Sequence, residues 1–252
     1  IPVDPQQGLP PEPDLRDSLM AMAPEARGRL EATLLDDMVT EYDARFLVAF
    51  IRTLPIEFSS DFQEVFDQWA DEEQAHHAAF RRVCELFRPG LQADLEARQP
   101  DFSGIAHLFG SEFEILCLLA YDELATVRGY RGNLELYDLL GPGFGAFLRR
   151  VVADEGRHYA SFRGLLLQGH GDRLAEAPAV IRRIRGADGT PYRATFVLDH
   201  DDPVILDSYH LLCEGSHDLA NDCPVPHITA IQTLGTCHLL HDGSQTCNQM
   251  QQ

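Results

Sequence analysis

Apolar positions recur at helical spacing in four long stretches of this chain, separated by segments rich in proline and glycine. The pattern turns helical at Pro24, a residue suited to a first turn. From about residue 31 to residue 54 the apolar positions include Leu34, Met38, Val48, Ile51 and Leu54, with acids and arginines between, and Pro55 ends the run. Ser59-Ser60-Asp61 supplies a cap for a second helix, which reaches about Phe87 through Phe62, Val65, Phe66, Trp69, Phe80 and Val83. A third starts near Ser111 and is almost continuously apolar from Phe113 to Tyr121, which predicts burial on most sides. The fourth spans about residues 145–167, beyond the break Gly141-Pro142-Gly143, with Phe147, Leu148, Val151, Val152, Phe162 and Leu165. The pattern therefore predicts an all-α chain, a four-helix bundle over residues 24–168 with additional helices. Residues 1–23, with five prolines in the first thirteen positions, are expected to be extended. Residues 91–110 read as a less regular connection, and residues 169–252 as an irregular C-terminal extension. Within that extension a β-hairpin is expected over 180–198, around Ala187-Asp188-Gly189.

The polar residues inside these helices change the picture. Glu73-Gln74-Ala75-His76 and Glu155-Gly156-Arg157-His158 repeat a Glu-x-x-His step, each in mid-helix and each behind a second acid, Glu72 and Asp154. On a helix, positions i and i+3 share a face, so each step offers a carboxylate and an imidazole to one metal ion. A bundle that supplies two such steps, and one further Glu from each of its other two helices, holds a pair of iron or manganese ions. The first helix offers Glu41, on the stripe of Ala44, Val48 and Ile51, with Asp43 as the alternative on the stripe of Phe46, Phe50 and Leu54. The third offers Glu123, with Asp122 as the alternative. A carboxylate at the end of so apolar a run is costly to bury unpaired, and a metal offsets that cost. Glu41 precedes Glu73 by 32 residues and Glu123 precedes Glu155 by 32, the regularity expected of two antiparallel helical hairpins.

Charge and cysteine content narrow the function. The net charge is -20, and all 20 basic residues are arginine. So acidic a surface repels phosphate backbones, which counts against nucleic acid as a partner. No apolar run approaches the length of a membrane span, so no membrane partner is expected and a cytoplasmic location is. Cys84 and Cys117 fall in apolar helical stretches and read as buried thiols. In the tail, Cys213/His217/Asp218/Cys223 and Cys237/His241/Asp242/Cys247 repeat one spacing and are candidates for a second metal site, with chance in a His-rich segment as the plainer reading.

Three stretches, Glu72-Glu73-Gln74-Ala75-His76, Glu123-Leu124-Ala125-Thr126 and Asp154-Glu155-Gly156-Arg157-His158, resemble those of the ferritin-like di-iron carboxylate proteins. Within that superfamily they are most similar to the soluble acyl-carrier-protein desaturases, which show Glu-Glu-x-Arg-His, Glu-Arg-Ala-Thr and Asp-Glu-x-Arg-His. Thr40-Glu41 also resembles their Thr-Glu-Glu, whereas residues 75 and 124 are Ala and Leu where desaturases have Arg. The likeness covers roughly residues 36–165. It implies a ferritin-like fold with Glu41, Glu73, His76, Glu123, Glu155 and His158 as metal ligands. It implies Thr126 as a hydroxyl beside the oxygen-binding face, and Asp154 as an acid that orients a ligand histidine from the facing helix, with Glu72 as its counterpart.

By the same resemblance the protein would be an oxygen-activating non-haem di-iron oxidoreductase: a desaturase, a hydroxylase-type monooxygenase or an N-oxygenase. It would use two Fe ions (or Mn) and O2 on an acyl-type or small natural-product substrate. Electrons would come from a separate ferredoxin or reductase, because no flavin or nicotinamide motif occurs. A homodimer is left open. The alternative is a metal-handling ferritin-like protein, a ferroxidase or an iron- or manganese-binding protein without an organic substrate. Phe80, one turn after His76, stands near where ribonucleotide reductase small subunits keep a radical-forming Tyr, which argues against that role. Tyr121 and Tyr159 read as core residues first and redox side chains second.

Overall fold

A computed structural model describes residues 8–186, and the regular structure among them is entirely helical, with no strand. The α-helices are α1 Glu12–Ala21, α2 Pro24–Thr53, α3 Ser60–Cys84, α4 Leu91–Glu96, α5 Glu112–Gly132, α6 Leu134–Tyr137, α7 Pro142–Gly169 and α8 Ala177–Gly186. Short 3-10 turns stand at Ser103–Leu108, Asp138–Leu140 and Gly171–Glu176. The four long helices pair as two hairpins, α2 on α3 and α5 on α7, and the hairpins meet where α3 packs against α7. No helix among the described residues is long and apolar enough to cross a membrane.

Local chemistry sets where these helices start. Ser59 caps α3, its hydroxyl accepting from the Phe62 N–H at 3.2 Å. Gly141, with φ at +93°, takes a backbone conformation that favours glycine just before α7, and Pro142 then occupies the first position of the helix. Burial follows the apolar patterning. Along α5, Phe113 and every residue from Ile115 to Val127 are buried, so this helix runs through the middle of the packing. Each fully buried Leu or Phe there contributes about 1.5–3 kcal/mol. That apolar frame is what can hold charged groups in the interior at all.

Two expectations need correction. Residues 12–21 of the segment expected to be extended form α1, because Pro13 lies in the first turn, where its missing N–H costs nothing. Leu15 and Leu19, one turn apart, then bury together, and α1 packs on the Asp138–Leu140 turn. The β-hairpin is also overturned where it is described: residues 180–186 belong to α8. Ala177, Val180, Ile181 and Ile184 are buried at i, i+3, i+4 and i+7, a helical stripe whose β-branched residues look strand-like when read singly. α8 lies against α5 and the Ser103–Leu108 turn, so the packing continues past residue 168. The rest of the hairpin, and both Cys/His clusters of the tail, lie outside the described residues.

Candidate metal centre

Each long helix turns one carboxylate inward: Glu41 from α2, Glu73 from α3, Glu123 from α5 and Glu155 from α7, none more than 2% exposed. α3 and α7 add His76 and His158 one turn further on, both buried. Glu41 arrives there because its stripe mates Ala44, Val48 and Ile51 are themselves buried. Asp43, on the neighbouring stripe, is buried too, but both its oxygens are taken by Arg98, with Nε at 2.9 Å from Oδ1 and Nη2 on Oδ2. Asp122 is buried on α5 without joining the cluster, and Thr126 is buried one turn after Glu123.

The ligand atoms fall into two overlapping groups, each within 4.8 Å: Glu41, Glu73, His76 and Glu155 in one, Glu73, Glu123, Glu155 and His158 in the other. Glu73 and Glu155 belong to both. His76 Nδ1 stands 2.9 Å from Glu155 Oε1 and 3.7 Å from Glu41 Oε2. His158 Nδ1 stands 3.0 Å from Glu155 Oε2, 3.2 Å from Glu73 Oε1 and 3.4 Å from Glu123 Oε2. Both imidazoles thus present Nδ1 to the carboxylates and turn Nε2 outward. The outward nitrogens meet acids from the opposite helix: His76 Nε2 is 3.4 Å from Asp154 on α7, and His158 Nε2 is 2.8 Å from Glu72 on α3.

Two supporting residues escaped the sequence reading. Tyr130 donates its hydroxyl to Glu41 Oε1, and Trp69 donates Nε1–H to Glu123 Oε1 at 2.6 Å. Each therefore fixes one oxygen of a carboxylate that only one group uses. Trp69 lies one turn before Glu73 on its face of α3, and Tyr130 two turns after Glu123 on α5, so stripe position could have flagged both. Trp69 instead read as one of the apolar positions of its helix, and Tyr130 was not singled out.

Without cations the cluster is strained by its own charge. Burial, with the charges of Glu41 and Glu155, holds the Glu73 carboxyl well above its ordinary range, and burial does the same for Glu123. Burial alone would lower the two imidazoles. The surrounding acids overwhelm it, chiefly Glu155 and Asp154 for His76 and Glu123 and Glu155 for His158, and hold both well above the usual histidine range. Burial would likewise raise Glu155 and Glu72. Charge and hydrogen bonds from His76 and His158 keep Glu155 below the carboxylate range, and hydrogen bonds from His158 and Gln68 hold Glu72 at about 2.

The buried donor atoms fit metal ions. Glu41 Oε2, Glu73 Oε1, Glu123 Oε2, Glu155 Oε1 and His76 Nδ1 are buried without a hydrogen-bond partner, although several lie within ion-pair reach of an imidazole nitrogen. Close approach without hydrogen-bond geometry is what converging ligand atoms give. A native interior does not leave so many adjacent polar atoms unsatisfied without cause. The four carboxylates carry the charge that two divalent cations would neutralise. These groups could hold a metal ion. Compared with known proteins, the chain matches no family model, no curated protein and no solved structure, so the candidate centre stands on its own geometry.

Proposed function

We propose that this protein is an oxygen-activating non-haem di-iron oxidoreductase of the ferritin-like di-iron carboxylate type. The observation that carries the reading is the sharing of Glu73 and Glu155 between two four-residue groups. Glu41 and His76 would complete one ion's set and Glu123 and His158 the other's, with Glu73 and Glu155 within reach of both. Carboxylates with one imidazole per ion suit iron or manganese rather than a thiolate-loving metal. When bound, a reduced iron pair supplies the reaction with dioxygen and the oxidising power to attack a C–H or N–H bond.

The chain's own residues do the rest. Tyr130 and Trp69 hold the unshared carboxylates, and Asp154 and Glu72 hold the imidazoles, so the ligands are set before any ion arrives. The buried face of α5 keeps water out. Thr126, one turn from Glu123, is the hydroxyl we assign to holding a proton beside the reacting face. The likeness to soluble desaturases points to an acyl-type or small natural-product substrate and to an external ferredoxin or reductase.

A second reading is a ferroxidase, favoured by the net charge of -20, which gathers cations at the surface. Anaerobic titration with ferrous iron, followed by oxygen, tests both. The expected result is about two irons per chain and oxygen uptake that accelerates with an acyl or amine substrate. Failure to take up iron sinks the proposal. Ferrous oxidation that continues far past that stoichiometry, with no organic product, selects the ferroxidase.

A further inference from the structure

The two halves of the centre are not equally supported from outside. Arg157 immediately precedes His158 on α7, but the matching place before His76 on α3 holds Ala75. No second guanidinium comes from that position. Arg157 instead spans both outer acids: Nη1 pairs with Asp154 Oδ1, and Nη2 lies 3.6 Å from Glu72 Oε2. Asp154 Oδ2 faces His76 Nε2, and Glu72 Oε2 faces His158 Nε2. Gln68 occupies the remaining oxygen of Glu72 at 2.9 Å. One planar cation therefore touches the two acids that hold the two imidazoles.

We propose that Arg157 is a single positioning residue for both ligand imidazoles, acting on His76 through Asp154 and on His158 through Glu72. The proposal rests on the reading above that the centre binds metal through Nδ1. With Nδ1 engaged, the imidazole proton sits on Nε2 and is donated outward. Its acceptor must be fixed in direction for the ring to stay aimed. Asp154 and Glu72 are both buried and within reach of the same guanidinium, which fixes the direction in which each faces its imidazole. The rigid fork of Arg157 can serve two carboxylates at once in a fixed geometry. Half-exposed itself, it reaches the outer acids without entering the ligand set.

Cobalt(II) in place of iron makes the proposal testable without turnover. Each imidazole that binds cobalt through Nδ1 leaves one exchangeable Nε2–H, whose proton resonance the ion shifts far outside the ordinary range. The wild-type protein should show a pair of such resonances. Asp154→Asn should move one, Glu72→Gln the other, and Arg157→Ala both, while cobalt affinity falls about 10–100-fold. Arg157→Gln, closer in volume, should reproduce the double effect if Arg157→Ala folds poorly. A merely structural role would leave the resonances of the folded variants in place. An arginine variant that moves one resonance, or neither, overturns the proposal and leaves the metal centre standing. Absence of cobalt uptake by the wild-type protein overturns both.

Discussion

Glu73 and Glu155 differ from Glu41 and Glu123 in kind, because each is counted in both ligand groups. That difference predicts unequal losses. Glu73→Ala should abolish binding of both ions, whereas Glu41→Ala or Glu123→Ala should cost one ion and leave the other group intact. Metal analysis after equilibrium dialysis reads the outcome, and equal losses in all three variants would contradict the shared-ligand arrangement. Asp43 shows the opposite fate of a buried acid. It is fully buried, and Arg98 is its partner. Arg98→Ala strands that charge and should cost about 3–5 kcal/mol at neutral pH, measured by denaturant unfolding. Burial raises the Asp43 carboxyl while Arg98 opposes the rise, so the pair acts only while Asp43 is ionised. The cost of Arg98→Ala should therefore shrink as pH falls through the native pKa of Asp43. The stripes of α2 differ in burial, Ala44, Val48 and Ile51 being buried and Phe46, Phe50 and Leu54 only partly so, a difference the sequence did not show because both stripes are apolar. Tyr130 and Trp69 were missed although they lie on the inward stripes, because the patterning marks an aromatic side chain there as core and does not show where its hydroxyl or indole N–H points.

At the scale of elements, the four long helices were legible because each sustains its apolar stripe over several turns, and α2, α3 and α7 also begin at a proline or a cap. Short elements were not. α8 carries Val180, Ile181 and Ile184, which favour strands by composition, and its helical character shows only in their spacing together with Ala177. α1 was hidden by the prolines beside it, since proline forbids a helix interior and accepts a first turn. The two readings of residues 180–186 predict different mutants. A strand would alternate, placing Val180 and Arg182 on one face and Ile181 on the other. The helix buries Ile181 and exposes Arg182. Ile181→Ala should thus cost about 2–5 kcal/mol, and Arg182→Ala less than about 0.5 kcal/mol. Neither should change metal content, because α8 packs on α5 without contributing to the ligand groups.

The whole molecule combines a net charge of -20 with an interior that gathers four carboxylates and two imidazoles, so its stability depends on what neutralises them. In the metal-free protein, protons do so. The native pKa values of His76 and His158 are raised, so their contribution is complete below the ordinary value of 6.5 and is lost as pH rises through the native values. The raised carboxyls of Glu73 and Glu123 act in the same direction, because above 4.5 the unfolded chain releases protons that the native state still holds. Glu72 and Glu155 are lowered and act oppositely, but their contribution is complete once pH exceeds the ordinary 4.5. Above about pH 5 the raised carboxyls, and above 6.5 the raised histidines as well, weaken the metal-free protein as pH rises, while the two lowered carboxyls no longer change its stability. Metal ions bound by this cluster would displace the same protons and would bind better as pH rises. At a hundredfold excess over its dissociation constant an ion adds about 2.7 kcal/mol, worth about 5–10 °C in a domain of this size. The gap between melting temperatures with manganese and with chelator should therefore widen steadily from pH 5.5 to pH 8. A gap that stays constant across that range would mean that the carboxylate cluster neither holds those protons nor exchanges them for metal.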